Sequence, residues 1–388
     1  MERILRRPNI DWVLLVVMIP LFLAGLISMK ALGAPDASVG AAFGDYFFSR
    51  QIVWIGLGLL FFFFFSSLDW RVLRNGWLLF SLYILGLLVL LGLLFFTREL
   101  KGARAWIQFG LFSLEPAEPM KLVLILVLAK YFSRRHVEIA HVKHIIVSGI
   151  YAALPALLVF LQPDLGSALI FAAVWLGMIM FSGVSKKHLF GVILIAVLGI
   201  LISWFYLLAP YQKARVFTFL NPFADPQGAG YNALQARIAV GSGGLWGRGV
   251  GYGTQSRLEF LPEHETDFIF AAFAEEWGFF GVTVLFALFG ILFWRILKAS
   301  MSGGSNFEKL FGVGILFLIL SHFVIHIGMN VGLLPVTGLS LPFLSYGGSH
   351  TLTLLAGLGI LMGMRRYGYE SGVTRSDEDL ALADVIRT

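Results

Sequence analysis

Residues Trp77–Phe96 read WLLFSLYILGLLVLLGLLFF, a run without charge or proline. As an α-helix rising about 1.5 Å per residue it covers the ~30 Å of hydrocarbon in a bilayer. Working outward, apolar runs of similar length fall near 11–29, 51–67, 119–132, 145–161, 165–183, 189–209, 268–296, 309–331 and 347–364, which makes ten segments. The fifth and sixth are separated only by Gln162-Pro163-Asp164. Hydrocarbon offers the backbone no hydrogen-bond partners, so a span must be a helix or part of a closed barrel. The alternating ten-residue stretches of a barrel are absent. The expected fold is an all-α integral membrane protein of about ten transmembrane helices.

Composition agrees. Of 388 residues, 58% are hydrophobic and 13% charged, with a mean hydropathy of +0.83, whereas a soluble domain carries about a quarter charged residues. The absence of cysteine excludes disulfides, thiolate metal sites and a cysteine nucleophile. The net charge of +6 is spread in short basic clusters between apolar runs, which argues against a nucleic-acid partner. The basic segment Met1–Pro8 leads into Ile10–Met29, which is long enough to span and is read as a retained first helix.

Most of the 29 Lys and Arg fall on one side of the ten-span topology, including Arg3, Arg71, Arg134, Lys186, Arg295, Lys298 and Arg365. By the positive-inside rule both termini are expected in the cytoplasm. Residues 1–366 form one polytopic domain in this reading, with a large extracytoplasmic loop at about 210–267 between helices 7 and 8. Residues 367–388 form a short cytoplasmic tail.

The large loop ends in Glu263-His264-Glu265-Thr266-Asp267 and runs straight into a span. The plain reading is a helix cap from Thr266 or Asp267. The chemical one is a general base, Asp267, acting on a hydroxyl delivered from the outer leaflet. At 100° per residue Ala271, Ala274 and Gly278 share its face, Glu275 lies at the edge and Glu276 opposite. Glu263 and Glu265 could share a divalent cation with Asp267.

Glycine is dense from Gly241 to Gly253, with Arg248 inside the run. No Gly-Lys-Ser/Thr follows and no strand precedes, so nucleotide fingerprints are excluded. Tight packing on the membrane face competes with backbone donors for a phosphate. Asp164, Glu118 and Lys121 stand at span edges as ion pairs or, with Arg50, Arg104 and Arg215, as an anionic-headgroup site. His322, His326 and Asn330 follow at i, i+4, i+8. That spacing permits a metal pair, but a polar seam between helices is the better reading.

The stretches Gln162–Ser167 (QPDLGS), Gly228–Tyr231 (GAGY), Ala239–Gly249 (AVGSGGLWGRG), Leu261–Phe270 (LPEHETDFIF), Glu275–Gly278 (EEWG) and Leu341–Ser349 (LPFLSYGGS) resemble the SEDS family (shape, elongation, division and sporulation), whose members include RodA and FtsW. The likeness covers nearly the whole chain, and Leu334-Pro335-Val336-Thr337-Gly338 looks like the RodA branch. The resemblance implies a ten-helix SEDS fold and a peptidoglycan glycosyltransferase. Such an enzyme polymerises lipid II, an undecaprenyl-pyrophosphate-linked disaccharide peptide, at the outer face of the bacterial inner membrane. It implies a class B penicillin-binding protein and other elongation-complex membrane proteins as partners. The acidic cluster and the release of a pyrophosphate add a divalent cation (magnesium or manganese) as the expected cofactor. The catalytic aspartate falls on Asp267, and important charged positions fall on Arg50, Glu118, Lys121 and Asp164. Departures are Glu115-Pro116-Ala117-Glu118 for the usual Gln-Pro-Ser-Glu, Ala105 where an arginine usually precedes the tryptophan, and Glu265 where a histidine is common. The rival readings are a lipid II flippase, a division-type homologue and a scaffold for a partner's helix.

Overall fold

The computed structural model describes residues 10–31, 40–74, 76–97, 105–109, 112–135, 142–206, 210–224, 230–257, 260–261 and 263–366. Arg104 and the 367–388 tail lie outside the described residues.

Among the described residues, all ten apolar segments are helical. They are α1 (Trp12–Ala31), α2 (Gly40–Ser67), α3 (Gly76–Phe96), α4 (Ala117–Arg135), α5 (Val142–Leu161), α6 (Leu165–Phe181), α7 (Lys186–Tyr206), α11 (Ile269–Met301), α12 (Asn306–Val331) and α13 (348–366). Seven are long and apolar enough to cross a membrane by length and composition. Of the others, α6 has only 17 residues, and α4 carries Glu118, Lys121, Lys130 and Arg134. A short antiparallel hairpin, β1 (Ile107–Phe109) and β2 (Phe112–Leu114), precedes α4 and was not foreseen.

Three helix ends are tied by one buried carboxylate. Asp11, just ahead of α1, accepts from Arg295 Nη2 of α11 at 2.5 Å and from Arg365 Nη1 of α13 at 3.4 Å. These ends therefore lie on one side of the bundle, as the basic-residue pattern requires. The α5–α6 hairpin closes at Asp164, whose Oδ1 accepts from Ser167 N at 2.9 Å, while Gln162 Nε2 donates to Leu90 O of α3 at 2.7 Å. In the centre, α12 packs on α4, α6 and α11.

The 210–267 segment folds into α8 (Pro210–Leu220), α9 (Tyr231–Ser242) and α10 (Thr254–Arg257). Ala236 and Ala239 of α9 pack with Leu261 and Phe268 on Ala271 and Ala272, because only small side chains let this segment lie flat on α11. One expectation fails here. Gly278 has φ 65° and ψ −167°, so α11 breaks and a continuous 100° wheel does not run through it. Glu276, expected on the opposite face, is buried like Glu275.

Candidate functional site at the helix 11 rim

The turn before α11 is built on Glu263, at φ 50°. Its carbonyl accepts from the N–H groups of Thr266 (3.2 Å), Asp267 (3.0 Å) and Phe268 (3.2 Å). The N-cap position falls on Phe268, which supplies no side-chain bond. The capping side chain comes instead from α12. Asn330 Oδ1 accepts from Ala271 N at 3.1 Å, and Asn330 Nδ2 donates to Asp267 O at 3.0 Å and His326 O at 2.8 Å. This corrects the expected cap from Thr266 or Asp267. The Thr266 hydroxyl turns back to the Glu263 carbonyl at 3.3 Å.

The Asp267 carboxylate is half-buried. Its Oδ2 lies 3.5 Å from where a Cβ on Gly338 would sit. Gly338 belongs to the α12–α13 loop, which is docked on the acidic turn. Ser345 Oγ donates to Thr266 O at 2.8 Å, and Tyr346 N donates to Glu265 O at 2.9 Å. Further along this loop His326 Nδ1 meets Leu339 O at 2.7 Å and His322 Nδ1 meets Ser340 O at 3.3 Å. The stripe of His322, His326 and Asn330 is thus a polar seam, as expected. It holds two successive loop residues, Leu339 and Ser340, and the start of α11 in register.

Behind the seam is a buried charge cluster. Lys121 Nζ donates to Glu118 Oε1 at 2.7 Å and to His322 Nε2 at 3.3 Å, and His350 Nδ1 meets Glu118 Oε2 at 3.1 Å. Glu118 and Lys121 form the ion pair their spacing suggested, and His350 is an addition that the sequence pattern did not single out. Glu118, His322 and His350 are the one group of possible metal ligands, among the described residues, whose atoms lie within 4.8 Å of one another. Lys121 Nζ already bridges two of them, so the donor set suits that side chain rather than a dication.

Glu115 sits at the mouth of this cluster, where its Oε1 accepts from Ser167 Oγ at 3.4 Å and its N–H donates to Ser349 Oγ at 2.9 Å. Burial, then the Glu118 and Asp164 carboxylates, push its carboxyl up to about 8. Asp164 caps α6.

The glycine-rich run packs against the break in α11. Arg248 N and Gly249 N donate to Glu275 O and Glu276 O, both at 3.0 Å, while Phe279 N and Phe280 N donate to Gly244 O (2.9 Å) and Leu245 O (3.1 Å). Glu276 Oε1 accepts from Gly251 N at 2.9 Å, and Glu275 Oε1 accepts from Gln255 N at 3.0 Å. These backbone donors are spent inside the protein, which supports the packing reading over a phosphate cradle. The Arg248 guanidinium donates to Ser242 O at 3.2 Å and is exposed. Arg215 of α8 is also exposed, 3.5 Å from Val336 O.

Arg50 lies over the Tyr46 ring at 4.1 Å. The next residue, Gln51, donates to Ser345 O and Thr351 Oγ1 at 3.4 and 3.3 Å, which places Arg50 beside the loop that holds the acidic turn. His264 Nε2 pairs with Glu265 Oε1 at 3.2 Å, so two of the acidic turn's side chains satisfy each other.

A multi-pass helical membrane protein that presents a carboxylate at a rim, braced by a buried polar seam, defines the class. The chain belongs to the cell cycle protein family of FtsW, RodA and SpoVE, which matches residues 11–370. It is 34% identical over 368 residues to stage V sporulation protein E of Bacillus subtilis, covering 93% of this chain and 98% of that protein. It is 38% identical over 319 residues to the peptidoglycan glycosyltransferase MrdB of Escherichia coli, covering 82% of this chain and 85% of the relative. Among solved structures, a peptidoglycan synthase complex described as coordinating polymerization and crosslinking aligns with a TM-score of 0.78 at 32% identity, covering 93% of this chain and 99% of that one. The rod shape determining protein RodA of Thermus thermophilus aligns with a TM-score of 0.68 at 30% identity, covering 92% of this chain and 98% of that one.

Proposed function

We infer that this chain polymerises lipid II, with Asp267 as general base. It is a peptidoglycan glycosyltransferase, as its relatives FtsW and MrdB are named. The observation that carries the residue assignment is the bracing of Asp267. Its backbone is pinned by Asn330 and its carboxylate lies against Gly338.

In the proposed reaction Asp267 takes the proton from the acceptor sugar's 4-hydroxyl. That oxygen forms a bond to the donor's anomeric carbon as the bond to undecaprenyl pyrophosphate breaks, and the pyrophosphate leaves with the electron pair. Arg50, Arg104, Arg215 and Arg248 supply cationic contacts to its oxygens, and Glu118, Lys121 and Asp164 hold the helices around the substrate groove. Carboxylate oxygens suit a hard cation such as magnesium or manganese. Asp267 with Glu263 would hold it, and it would neutralise the leaving charge. The same reading places one polytopic domain over 1–366 in the inner membrane, with ten crossings, both termini cytoplasmic and Asp267 outside. The RodA-like Leu334–Gly338 segment supports a role in elongation, and the synthase-complex neighbour supports a class B penicillin-binding protein as partner.

The test is polymerisation of labelled lipid II by purified protein, with and without that partner. Wild type should give glycan ladders, and Asp267→Asn, isosteric and still folded, should give none. Ladders of normal intensity from Asp267→Asn would remove Asp267 as the base.

A further inference from the structure

At the end of the bundle away from Asp267, α3 and α4 enclose a cavity of about 250 Å³. Its walls are two helical stripes. Gly76, Leu79, Phe80 and Tyr83 follow at i, i+3, i+4 and i+7 on α3, and Val127, Lys130, Tyr131 and Arg134 repeat that spacing on α4. Tyr151 of α5 also lines it. The two helices close tightly from the middle of α3, where a Cβ on Gly86 would stand 2.5 Å from Met120 Sδ. No such contact closes the Gly76 end, where an added Cβ meets nothing within 4 Å.

The lining has a polar half and an apolar half. Arg134 is exposed, and among the described residues no carboxylate pairs with it. Lys130 Nζ lies 5.8 Å from the Phe307 ring, one turn along the same stripe. The tyrosines are fixed, with Tyr83 Oη donating to Tyr151 O at 2.8 Å and Tyr131 Oη paired with His144 Nδ1 at 2.8 Å. Below, α3 turns Phe80 (49% exposed) and Leu85 (57% exposed) outward. Arg134 is sixteen residues beyond Glu118 on α4, about 24 Å along its axis. It therefore lies at the opposite membrane interface from the catalytic rim, on the side that carries most of the basic residues.

We propose that this cavity binds an anionic phospholipid of the cytoplasmic leaflet, with its phosphate between Lys130 and Arg134 and its acyl chains along the outward face of α3. Basic pockets between transmembrane helices on the cytoplasmic side select such headgroups. A cation pair on one helix face at i, i+4 can grip a single phosphate. The cavity is below the ~300–1,000 Å³ of drug-sized sites, which suits a headgroup and leaves the chains outside in the bilayer. The site is separate from the catalytic reading and stands or falls without it.

The test is thermal unfolding of the full chain in neutral detergent, titrated with phosphatidylglycerol, phosphatidylcholine or inorganic phosphate. Wild type should gain stability with phosphatidylglycerol alone. In Lys130→Gln/Arg134→Gln the titration midpoint should move about thirtyfold higher, the loss expected for two interfacial cations. Gly76→Leu fills the mouth without changing charge and should abolish the response, so the proposal remains testable if the double variant folds poorly. Lys187→Gln, in the first turn of α7, should titrate like wild type. Equal stabilisation by phosphatidylcholine would show no headgroup selection, and equal stabilisation by inorganic phosphate would show an ion site. Either result, or unchanged titration in both cavity variants, overturns the proposal.

Discussion

Asn330→Ala separates the bracing of the proposed catalytic rim from its chemistry. Asn330 is fully buried on α12, yet it bonds the first turn of α11 and the carbonyl of Asp267 itself. Truncation strands two backbone groups, Ala271 N–H and Asp267 C=O. The third partner, His326 O, lies four residues back on the same helix and keeps its own helical bond. A buried backbone group left without a partner costs about 1–3 kcal/mol. Asp267 is only half-buried, so water recovers part of its share. The expected loss is therefore about 2–4 kcal/mol, larger than the ~1 kcal/mol of an ordinary N-cap. Because the freed segment carries Asp267, kcat for lipid II polymerisation should fall more steeply than KM rises. Asn330→Asp keeps the acceptor for Ala271 N but loses both donors, so it should recover only part of the stability. The measurements are thermal unfolding in detergent and glycan-ladder kinetics at several lipid II concentrations. An Asn330→Ala protein that melts and polymerises like wild type would refute the bracing argument.

Lys121→Met leaves Glu118 buried beside His350 without its cation; breaking such a pair costs about 3–5 kcal/mol, readable as a lowered melting temperature. Gly278→Ala places a Cβ 2.2 Å from Gly247 N at a backbone angle that L-residues avoid. It should cost about 3 kcal/mol or more and reduce the yield of folded protein, whereas Ala at Gly290, where a Cβ meets nothing within 4 Å, should not. Glu115, raised to about 8 from 4.5, holds a proton in the native protein that the unfolded chain has already released within that interval. Its contribution is therefore lost as pH rises from about 4.5 to 8. Melting curves across this range should fall more steeply for wild type than for Glu115→Gln, and parallel curves would count against the buried-acid assignment.

Local pattern revealed what depends on local pattern. Uninterrupted apolar runs specified helices because a lipid-facing backbone without a barrel's alternating pattern has no other solution. The i, i+3 spacing of Glu118 and Lys121 placed both on one helix face, where they pair. The 322–326–330 stripe announced a polar seam, but its partners did not show, since the Asn330 bonds reach Ala271 and Asp267 across 59 and 63 residues. His350 joins Glu118 from 232 residues away, and no spacing rule connects them. The break at Gly278 was hidden for another reason. A helical wheel assumes unbroken φ and ψ, and only the close approach of Gly247 explains why this glycine leaves the helix. The density of glycine from 241 to 253 was the available signal, since backbone pairing at such short range excludes side chains.

The same geometry weighs against transport as the chain's primary work. A flippase needs polar groups that trade partners as a path opens through the midplane. Here the buried charges at the start of α4 are closed on one another, with Glu118 held by Lys121 and His350 and Lys121 also held by His322. The seam above them is bonded to carbonyls of the α12–α13 loop at Leu339 and Ser340. Opening a lipid path between α4, α12 and α13 would separate these pairs while they are out of water, where broken ion pairs are most expensive. The acidic turn at the rim faces no such penalty. Asp267 is half-buried, and the loop around it is held by single hydrogen bonds from Ser345 and Tyr346. That distribution of costs favours the proposed bond-making at the rim over a lipid path between these helices.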